Sequence, residues 1–305
     1  MNILITGGDG QLGTCIIDEI RLRFAEGIKP PKEISRNNYY FTDVNLLDIT
    51  NKVDIERYVS EYGIDVIINC AAYTNVEKAE EQLEKDKLYN INRRGVQNLA
   101  EVCAERDLFL IQISTDFVFN GEKNTPYNED DACAPINMYG WSKYFGENEV
   151  FCCENHMIIR TAWLYSEFGN NFFKTMLNRI NNKMYTTVIY DQIGAPTYAR
   201  DLARFIIHVI EKEDLNKHKG IYHFTNLGVC SWYDFAASIE KFTTSKIEYI
   251  KPCLTKDYKT MAERPKYSVL GKERLNEFDF KQRHWMEALC ECIDNYEKNN
   301  HSVNE

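Results

Sequence analysis

The chain has 305 residues, of which 44% are hydrophobic and 13% aromatic, enough to build a sizeable core. Its 46 acidic and 36 basic residues give a net charge of −10, which argues against nucleic acid or an anionic membrane surface as the main partner. The N-terminal MNILITGG does not resemble a secretory signal, and no apolar run approaches the roughly 18–20 residues of a membrane span, so we expect a cytoplasmic protein.

Short apolar segments alternate with longer helical ones through the first half of the chain, which is the pattern of βαβ units. The strands are nearly continuously apolar, as in a parallel sheet covered on both faces. The predicted strands are Ile3–Thr6, Tyr39–Asp43, Val66–Ala71, Phe109–Thr115 and Met157–Ala162. The predicted helices are Gln11–Arg23, Val53–Tyr62, Asn92–Arg106 and Tyr139–Phe151. The polar stretch Lys29–Asn38 is interpreted as an insertion between the first helix and the second strand.

The sequence therefore predicts an α/β fold with a Rossmann-type, doubly wound parallel sheet and a smaller C-terminal substrate-binding lobe. Residues 1–162 are expected to form the dinucleotide-binding domain, with segments around 190–225 returning to it. Residues 163–305 are expected to form the smaller, partly discontinuous lobe. Within it, the segments 170–172, 191–197 and 231–234 should lie at turns or helix starts.

A glycine-rich loop follows the first predicted strand and precedes the first helix. Gly7, Gly10 and Gly13 let the backbone turn tightly and approach a pyrophosphate, for which the start of the Gln11–Arg23 helix offers free N–H donors. The position of the loop favours dinucleotide binding over a purely structural turn. Gln11 and Leu12 would line the same site.

Asp43 ends the second predicted strand, where a carboxylate can bind the adenosine ribose hydroxyls. It lies further from the glycines than usual, which the polar insertion would explain. Its charge would repel a 2′-phosphate and so mildly favour NADH over NADPH. A capping or turn aspartate remains the alternative interpretation.

Tyr139 and Lys143 are four residues apart in a predicted helix and therefore share one face. Reduction of a ketone needs a proton donor for the developing alkoxide, and a nearby ammonium can lower the pKa of a tyrosine toward the working range. Thr115 ends an apolar strand, where its hydroxyl can orient the same oxygen. The three residues together predict a hydride-transfer enzyme.

Distinctive segments extend this pattern along nearly the whole chain. They include GGDGQLG at 7–13, INCAAYTNVEKAE at 68–80, ISTDFVFNG at 113–121, DQIGAPTYARDLA at 191–203 and RPKYSVL at 264–270. With these segments the sequence resembles the dTDP-4-dehydrorhamnose reductase family of extended short-chain dehydrogenases. The resemblance implies reduction by NADH or NADPH of the C4 keto group of dTDP-4-dehydro-6-deoxy-L-mannose to dTDP-L-rhamnose, in the biosynthesis of cell-surface polysaccharides.

The resemblance also implies roles for individual residues. Tyr139 would be the proton donor, Lys143 its partner and Thr115 the substrate-orienting hydroxyl. The implied cofactor contacts are Gly10, Gln11, Leu12, Asp43, Asp48, Ile49, Ala71, Ala72 and Tyr73, and the implied sugar contacts are Thr115, Asp116 and Trp163. Arg264 suits the nucleotide diphosphate by its charge.

Some members of this family pair through a metal held by acidic residues after the glycine loop and after the GAPT motif. The corresponding positions here carry Cys15 and Arg200, which do not suit a hard cation, although Asp18, Glu19 and Asp201 lie nearby. We therefore expect no bound metal. A homodimer that forms without a metal remains an alternative to the monomer. The ten cysteines are interpreted as reduced packing residues, because no zinc-type spacing occurs.

Three other functions compete with that of the reductase. A 4,6-dehydratase needs an acid and a base directly after the threonine, and Phe117 stands where its glutamate would be. A nucleotide-sugar epimerase or another reductase on the same scaffold is one remaining alternative, and a non-catalytic NADP-binding regulatory subunit is the other. Substrate-dependent consumption of NADH distinguishes them.

Overall fold

A parallel sheet of six strands lies at the centre of the protein, whose computed structural model describes residues 1–25 and 37–301. In chain order the strands are β1 (Asn2–Thr6), β2 (Asn38–Thr42), β3 (Val66–Asn69), β4 (Phe109–Thr115), β5 (His156–Thr161), β6 (Leu164–Tyr165), β7 (Thr186–Ile189), β8 (Ile193–Gly194), β9 (Thr197–Tyr198), β10 (Gly220–His223), β11 (Cys230–Ser231) and β12 (Ile250–Cys253). The helices are α1 (Gln11–Ala25), α2 (Lys52–Tyr62), α3 (Lys85–Tyr89), α4 (Val96–Arg106), α5 (Met138–Val150), α6 (Phe172–Asn181), α7 (Ala199–Lys212), α8 (Trp232–Thr244) and α9 (Trp285–His301).

The sheet has the strand order β10-β5-β4-β3-β1-β2, and its neighbouring strands are parallel. The chain moves outward from β1 to β2, then crosses to β3 and continues in the opposite direction. The strand order therefore reverses beside β1, and ligands of doubly wound sheets bind at the carboxyl ends of strands near such a reversal. The predicted Rossmann-type fold is confirmed.

Apolar side chains alternate between the two faces of the sheet. Ile3 and Ile5 face one core, which α1 and α7 cover, whereas Leu4 and Ile67 face a second core beneath α2 and α4. Because both faces are covered by helices, the strand sequences are apolar along most of their length and do not alternate with polar residues. Cys15 and Cys103 are buried in these cores, consistent with packing residues.

The predicted strand ends differ from the structure by one or two residues. The third strand ends at Asn69 rather than Ala71, because the backbone N–H of Ala71 donates to the Asn69 side chain instead of to a neighbouring strand. The second strand ends at Thr42 and the fifth at Thr161, each one residue earlier than predicted. The predicted insertion at Lys29–Asn38 lies outside the described residues, apart from Asn37 and Asn38.

The helix predicted for Asn92–Arg106 is wrong at its start. The helical path begins at Lys85, passes through a π-helical segment at Asn90–Gly95 and continues as α4. A π segment inserts one extra residue into a turn, which hydrophobic periodicity does not reveal.

A further apolar core is built from segments after residue 163. It joins one face of α6 to α8 and α9, with Phe173, Phe235 and Leu289 fully buried. Two elements of the same half lie on the main sheet, since β10 pairs with β5 and α7 packs on α1. Both elements lie within residues 190–225, the part of the chain that was expected to return to the dinucleotide-binding domain. None of the helices in the described ranges has the length and apolar character needed to cross a bilayer.

Candidate active site

A cavity of about 560 Å³ opens at the carboxyl ends of β1, β3, β4 and β5. The residues predicted for the site that line this cavity are Gly10, Gln11, Leu12, Ala71, Ala72, Thr115, Tyr139, Lys143 and Trp163. They come from five separate parts of the chain, which the sheet brings to one edge. The cavity is therefore the candidate active site.

The glycine loop forms one wall of the cavity. A side chain at Gly13 would meet the Gly7 carbonyl oxygen at 2.4 Å and the Gly8 Cα at 2.7 Å, so the first turn of α1 packs directly on the loop. The backbone N–H of Gly8 also donates to the carbonyl of Thr42 at the end of β2 (2.8 Å). The start of α1, with its unpaired N–H groups, is thereby fixed at the edge of the cavity and suits a pyrophosphate.

Gln11 links this loop to the second half of the chain. Its Nε2 donates to the Leu164 carbonyl (3.1 Å), and its Oε1 accepts from Asn171 Nδ2 (2.6 Å). Asn171 also accepts from Lys174 N and so caps α6, as expected for a helix start. The sequence analysis did not assign Asn171 to the site, although its position before a helix marked it as a cap.

Tyr139 reaches the end of β4 because helix α5 approaches that strand closely. A side chain at Gly140 would meet the Phe117 carbonyl oxygen at 2.3 Å, so only glycine permits this approach. The Asn137 side chain caps the helix by accepting from Gly140 N (2.8 Å). Burial raises the pKa of Tyr139 to about 12, and a hydrogen bond with Thr115 offsets part of the rise. Tyr139 therefore carries its proton at neutral pH.

Lys143 lies one turn further along α5 and is buried. Its Nζ donates to the Ile113 carbonyl (2.7 Å), and burial lowers its pKa to about 8. The expected lowering of the Tyr139 pKa by this ammonium is not found. Desolvation of the phenol dominates, and the amine donates its hydrogen bond to the strand carbonyl.

A chain of buried polar side chains crosses the floor of the cavity. Thr6 Oγ1 donates to Asn69 Oδ1 (2.6 Å), and Asn69 Nδ2 donates to Gln112 Oε1 (2.8 Å). These bonds tie β1, β3 and β4 together at the edge where ligands bind. Asn69 and Gln112 were not predicted as site residues, although both are polar residues in mainly apolar strands.

The π-helical segment supports the cavity from behind through Asn92. Its side chain accepts from Tyr73 N (2.8 Å) and donates to Tyr73 O (2.9 Å) and to Ser142 Oγ (2.9 Å). Asn92 thus fixes the position of the segment after β3. Through Ser142 it also fixes the turn of α5 that carries Tyr139 and Lys143. Tyr73 itself is buried and donates through its hydroxyl to Glu84 (2.8 Å).

Asp43 lies beside the glycine loop but also forms a turn. Its carboxylate accepts from Asn45 N (3.0 Å) and Leu46 N (3.1 Å). These bonds are those expected of a turn aspartate, which was the alternative interpretation of this residue. The Leu46 bond contributes most to lowering the pKa of Asp43, whereas a hydrogen bond with Asp43 raises the pKa of Asp9. Asp9 lines the cavity. Two carboxyl groups therefore stand next to each other at this end of the site.

Asp48 and Ile49 lie away from the cavity lining. Asp48 accepts from the backbone and hydroxyl of Thr50 (2.9 and 2.8 Å), and the Ile49 side chain is buried in the core against Gly95. Any contact of Ile49 with an adenine would therefore involve its backbone.

Asp116 is buried next to Thr115, whose hydroxyl donates to its Oδ1 (3.1 Å). Burial raises the pKa of Asp116 to about 7. Its Oδ2 is buried without a hydrogen-bond partner among the described residues. The carboxyl group can therefore either donate or accept at neutral pH.

Arg264 lines a second cavity, of about 410 Å³, rather than the first. It forms an ion pair with Glu77, from the segment after β3. The second cavity is also lined by Phe172, Arg179, Tyr185, Gln192, Trp232 and Tyr258. Its mixture of aromatic rings and two guanidinium groups suits a planar base joined to phosphates.

Arg200 occupies the region considered for a metal. Its guanidinium group pairs with Asp18 (2.6 Å), Glu19 (2.9 Å) and Glu167 (2.5 Å) and is almost fully buried. Asp201 is bound instead to Arg283 (2.7 Å). The carboxylates near the predicted metal positions thus already face positive charges, so these residues do not fit a hard cation. No group of three metal-ligating side chains converges within the described ranges.

Comparison with known proteins gives matches along nearly the whole chain. Residues 1–298 match the family model described as the RmlD substrate binding domain. The dTDP-4-dehydrorhamnose reductase of Aggregatibacter actinomycetemcomitans is 37% identical over 296 residues, covering 94% of this chain and 96% of that protein.

Two solved structures of proteins with the same name are also similar. The one from Clostridium acetobutylicum has a TM-score of 0.86 and 41% identity, covering 97% of this chain and 100% of that chain. The one from Bacillus anthracis, in complex with NADP, has a TM-score of 0.84 and 37% identity, covering 96% of this chain and 99% of that chain.

Proposed function

The chain belongs to the family of the RmlD substrate binding domain, and on this premise we propose that it reduces the C4 keto group of dTDP-4-dehydro-6-deoxy-L-mannose with NADH or NADPH, giving dTDP-L-rhamnose. The observation that carries the proposal is the convergence of Thr115, Tyr139 and Lys143 on the cavity beside the glycine loop. This arrangement joins a proton donor to a dinucleotide cradle, which is what a ketone reductase requires.

The cofactor would be held by the loop and start of α1, by Ala71 and Ala72, and by Lys143. When bound there, a reduced nicotinamide would supply the hydride for C4. Tyr139, which keeps its proton at neutral pH, donates that proton to the carbonyl oxygen as negative charge develops on it. The Thr115 hydroxyl, which donates to Asp116 in the structure, would turn its proton to the same oxygen and orient it. The substrate thereby gains one hydride at carbon and one proton at oxygen.

The second cavity would receive the nucleotide part of the substrate. Arg264 and Arg179 provide positive charge for the diphosphate, and the aromatic rings between them provide a surface for the base. Trp163 lines the catalytic cavity and would contact the sugar. The buried carboxyl group of Asp116 lies beside Thr115, where it can bind a sugar hydroxyl.

The function is tested by supplying purified protein with dTDP-4-keto-6-deoxy sugars and following the absorbance of reduced nicotinamide. A reductase should oxidise one NADH for each sugar converted. An epimerase would invert the sugar without net consumption of NADH. Binding of cofactor without turnover of any keto sugar in the panel would favour the regulatory subunit and contradict the proposal.

We further propose that Asp43 favours NADH, because a 2′-phosphate would approach both Asp43 and Asp9. The substitution Asp43→Ala removes one of these charges and should raise the ratio of kcat/KM for NADPH to that for NADH several-fold. Steady-state kinetics with each cofactor measures the ratio. Asp214→Ala, at an exposed turn outside the cavity, serves as the control. An unchanged ratio in Asp43→Ala would show that another group recognises the ribose.

A further inference from the structure

Two stacked tryptophans form a wall between the two cavities. The rings of Trp163 and Trp232 lie with centroids 3.6 Å apart and planes 10° from parallel. Trp163 lines the catalytic cavity, whereas Trp232 lines the second one. Trp232 therefore contacts a residue of the catalytic cavity directly, through the ring of Trp163.

The backbone of Trp163 has a conformation that large residues rarely adopt, with φ at 47°. It lies where the chain leaves β5 and starts β6, and its carbonyl accepts from Thr197 N (3.2 Å). Such a conformation persists only when the surroundings impose it, and it occurs preferentially at functional sites. The direction of the Trp163 ring therefore depends on its neighbours.

Gly194 in β8 supplies one of these neighbours. A side chain there would meet the indole of Trp163 at 2.6–2.8 Å, so the ring lies directly against the strand backbone. β8 pairs with β11, which places Cys230 opposite Gly194. Ser231, the next residue, caps α8 with a full capping box. Trp232 is the first residue of that helix. The β8–β11 pair therefore positions both Gly194 and Trp232, both of which contact the Trp163 ring.

Phe172, at the start of α6, supports the stack from the second cavity. Its ring lies 4.7 Å from that of Trp232. Trp232 is thus held between another aromatic ring and Trp163, while its helix is anchored by the cap. This is a rigid support rather than a loose surface contact.

We propose that Trp232 is a positioning residue: it holds Trp163 in the orientation that presents the indole to the deoxyhexose ring, without touching the reacting atoms. The inference rests on the proposed function, because it needs a sugar nucleotide that spans both cavities. Loss of the Trp232 ring lets the Trp163 side chain leave its imposed orientation. Sugar binding is then weakened while the binding of NADH, which uses the other side of the cavity, is retained.

Three variants and one control test this role. Trp232→Leu keeps an apolar side chain for packing of α8 but removes the stack, and KM for the sugar nucleotide should rise about three- to ten-fold, the range of an aromatic contact. Trp232→Phe retains a ring in the same place and should raise KM less than Trp232→Leu does. Gly194→Ala displaces the indole from its other contact and should raise KM as Trp232→Leu does. Phe242→Ala, an exposed ring further along α8, should leave KM unchanged.

Far-ultraviolet circular dichroism, recorded as the difference between wild type and variant, provides a readout independent of activity. Closely stacked indoles give an exciton-coupled signal, which the wild type and Phe242→Ala should show and Trp232→Phe should lose. Trp232→Leu also removes a ring that lines the second cavity. No such signal in the wild type, or an unchanged sugar KM in Gly194→Ala, would therefore overturn the inference. A wild type that reduces no keto sugar nucleotide would instead reject the proposed function, while the dichroism still reports on the stack.

Discussion

Replacement of Tyr139 by phenylalanine should lower kcat by roughly 10²–10⁴-fold, the usual contribution of a positioned proton donor. The phenylalanine ring keeps the edge contact with Phe117, whose centroid lies 5.8 Å away, so the cavity should retain its shape. The dissociation constant for NADH should change little. Single-turnover kinetics for the reduction and fluorescence titration with NADH separate the two effects.

Tyr144→Phe is a matched control for this experiment. Tyr144 lies on the same helix and outside the lining of the cavity, so removal of its hydroxyl should leave kcat unchanged. Equal losses of turnover and cofactor affinity in Tyr139→Phe would show that the phenol serves binding rather than proton transfer. A proton donor would then have to be sought elsewhere, and Asp116, whose pKa burial raises to about 7, would be a candidate.

The substitution Arg160→Met should destabilise the protein by about 3–5 kcal/mol, the usual cost of leaving one member of a buried ion pair without its partner. Arg160 Nε and Nη2 donate to the two oxygens of Glu147 (3.0 and 2.8 Å), and both side chains are at most 3% exposed. Burial and, second, the charge of Arg160 lower the pKa of nearby His223 to about 3. In the variant, burial still opposes a positive charge on His223. The Glu147 carboxylate would therefore be left buried and unpaired.

Denaturant-induced unfolding measures this loss against Arg57→Met. Arg57 pairs with Asp54 at the surface, with 70% of its side chain exposed, so its removal should cost less than about 1 kcal/mol. The double substitution Arg160→Met with Glu147→Leu should recover most of the stability, since it leaves no unpaired charge. A double variant no more stable than Arg160→Met alone would show that packing, not the buried charge, is decisive.

Glu147 lies one turn beyond Lys143 on α5, which connects this ion pair to the site. Glu147 also raises the pKa of Lys143 against the larger effect of burial. The same helix therefore carries the proton donor, the amine and the buried anchor at successive turns. Activity of the double variant should fall off at a lower pH than that of the wild type if Lys143 must be charged.

The main features of the fold could be predicted because they depend on local patterns. Short, mainly apolar runs such as Phe109–Thr115 are typical of strands in a covered sheet, and the four-residue spacing of Tyr139 and Lys143 places both on one helix face. The remaining features depend on close approaches between distant segments. Gly140 permits the contact with Phe117, but nothing in the local sequence distinguishes it from a glycine that merely weakens a helix.

The same limit applies to the parts of the site that the sequence analysis missed. Asn92 acquires its role only because a π-helical turn directs it toward Tyr73, and a π turn has no periodic signature. The stack of Trp163 on Trp232 joins residues almost seventy positions apart through a two-stranded pair too short to be predicted. Asp43 was interpreted in two ways, and its hydrogen bonds are compatible with both.

The return of β10 and α7 to the main sheet has a consequence for engineering. A fragment that ended near residue 162 would leave the edge of β5 without its neighbour and uncover the face of α1 that α7 protects. Unpaired edges of this kind promote aggregation. Chimaeras that exchange sugar specificity between relatives therefore need crossover points on both sides of residues 199–223, so that these two elements stay with the N-terminal half.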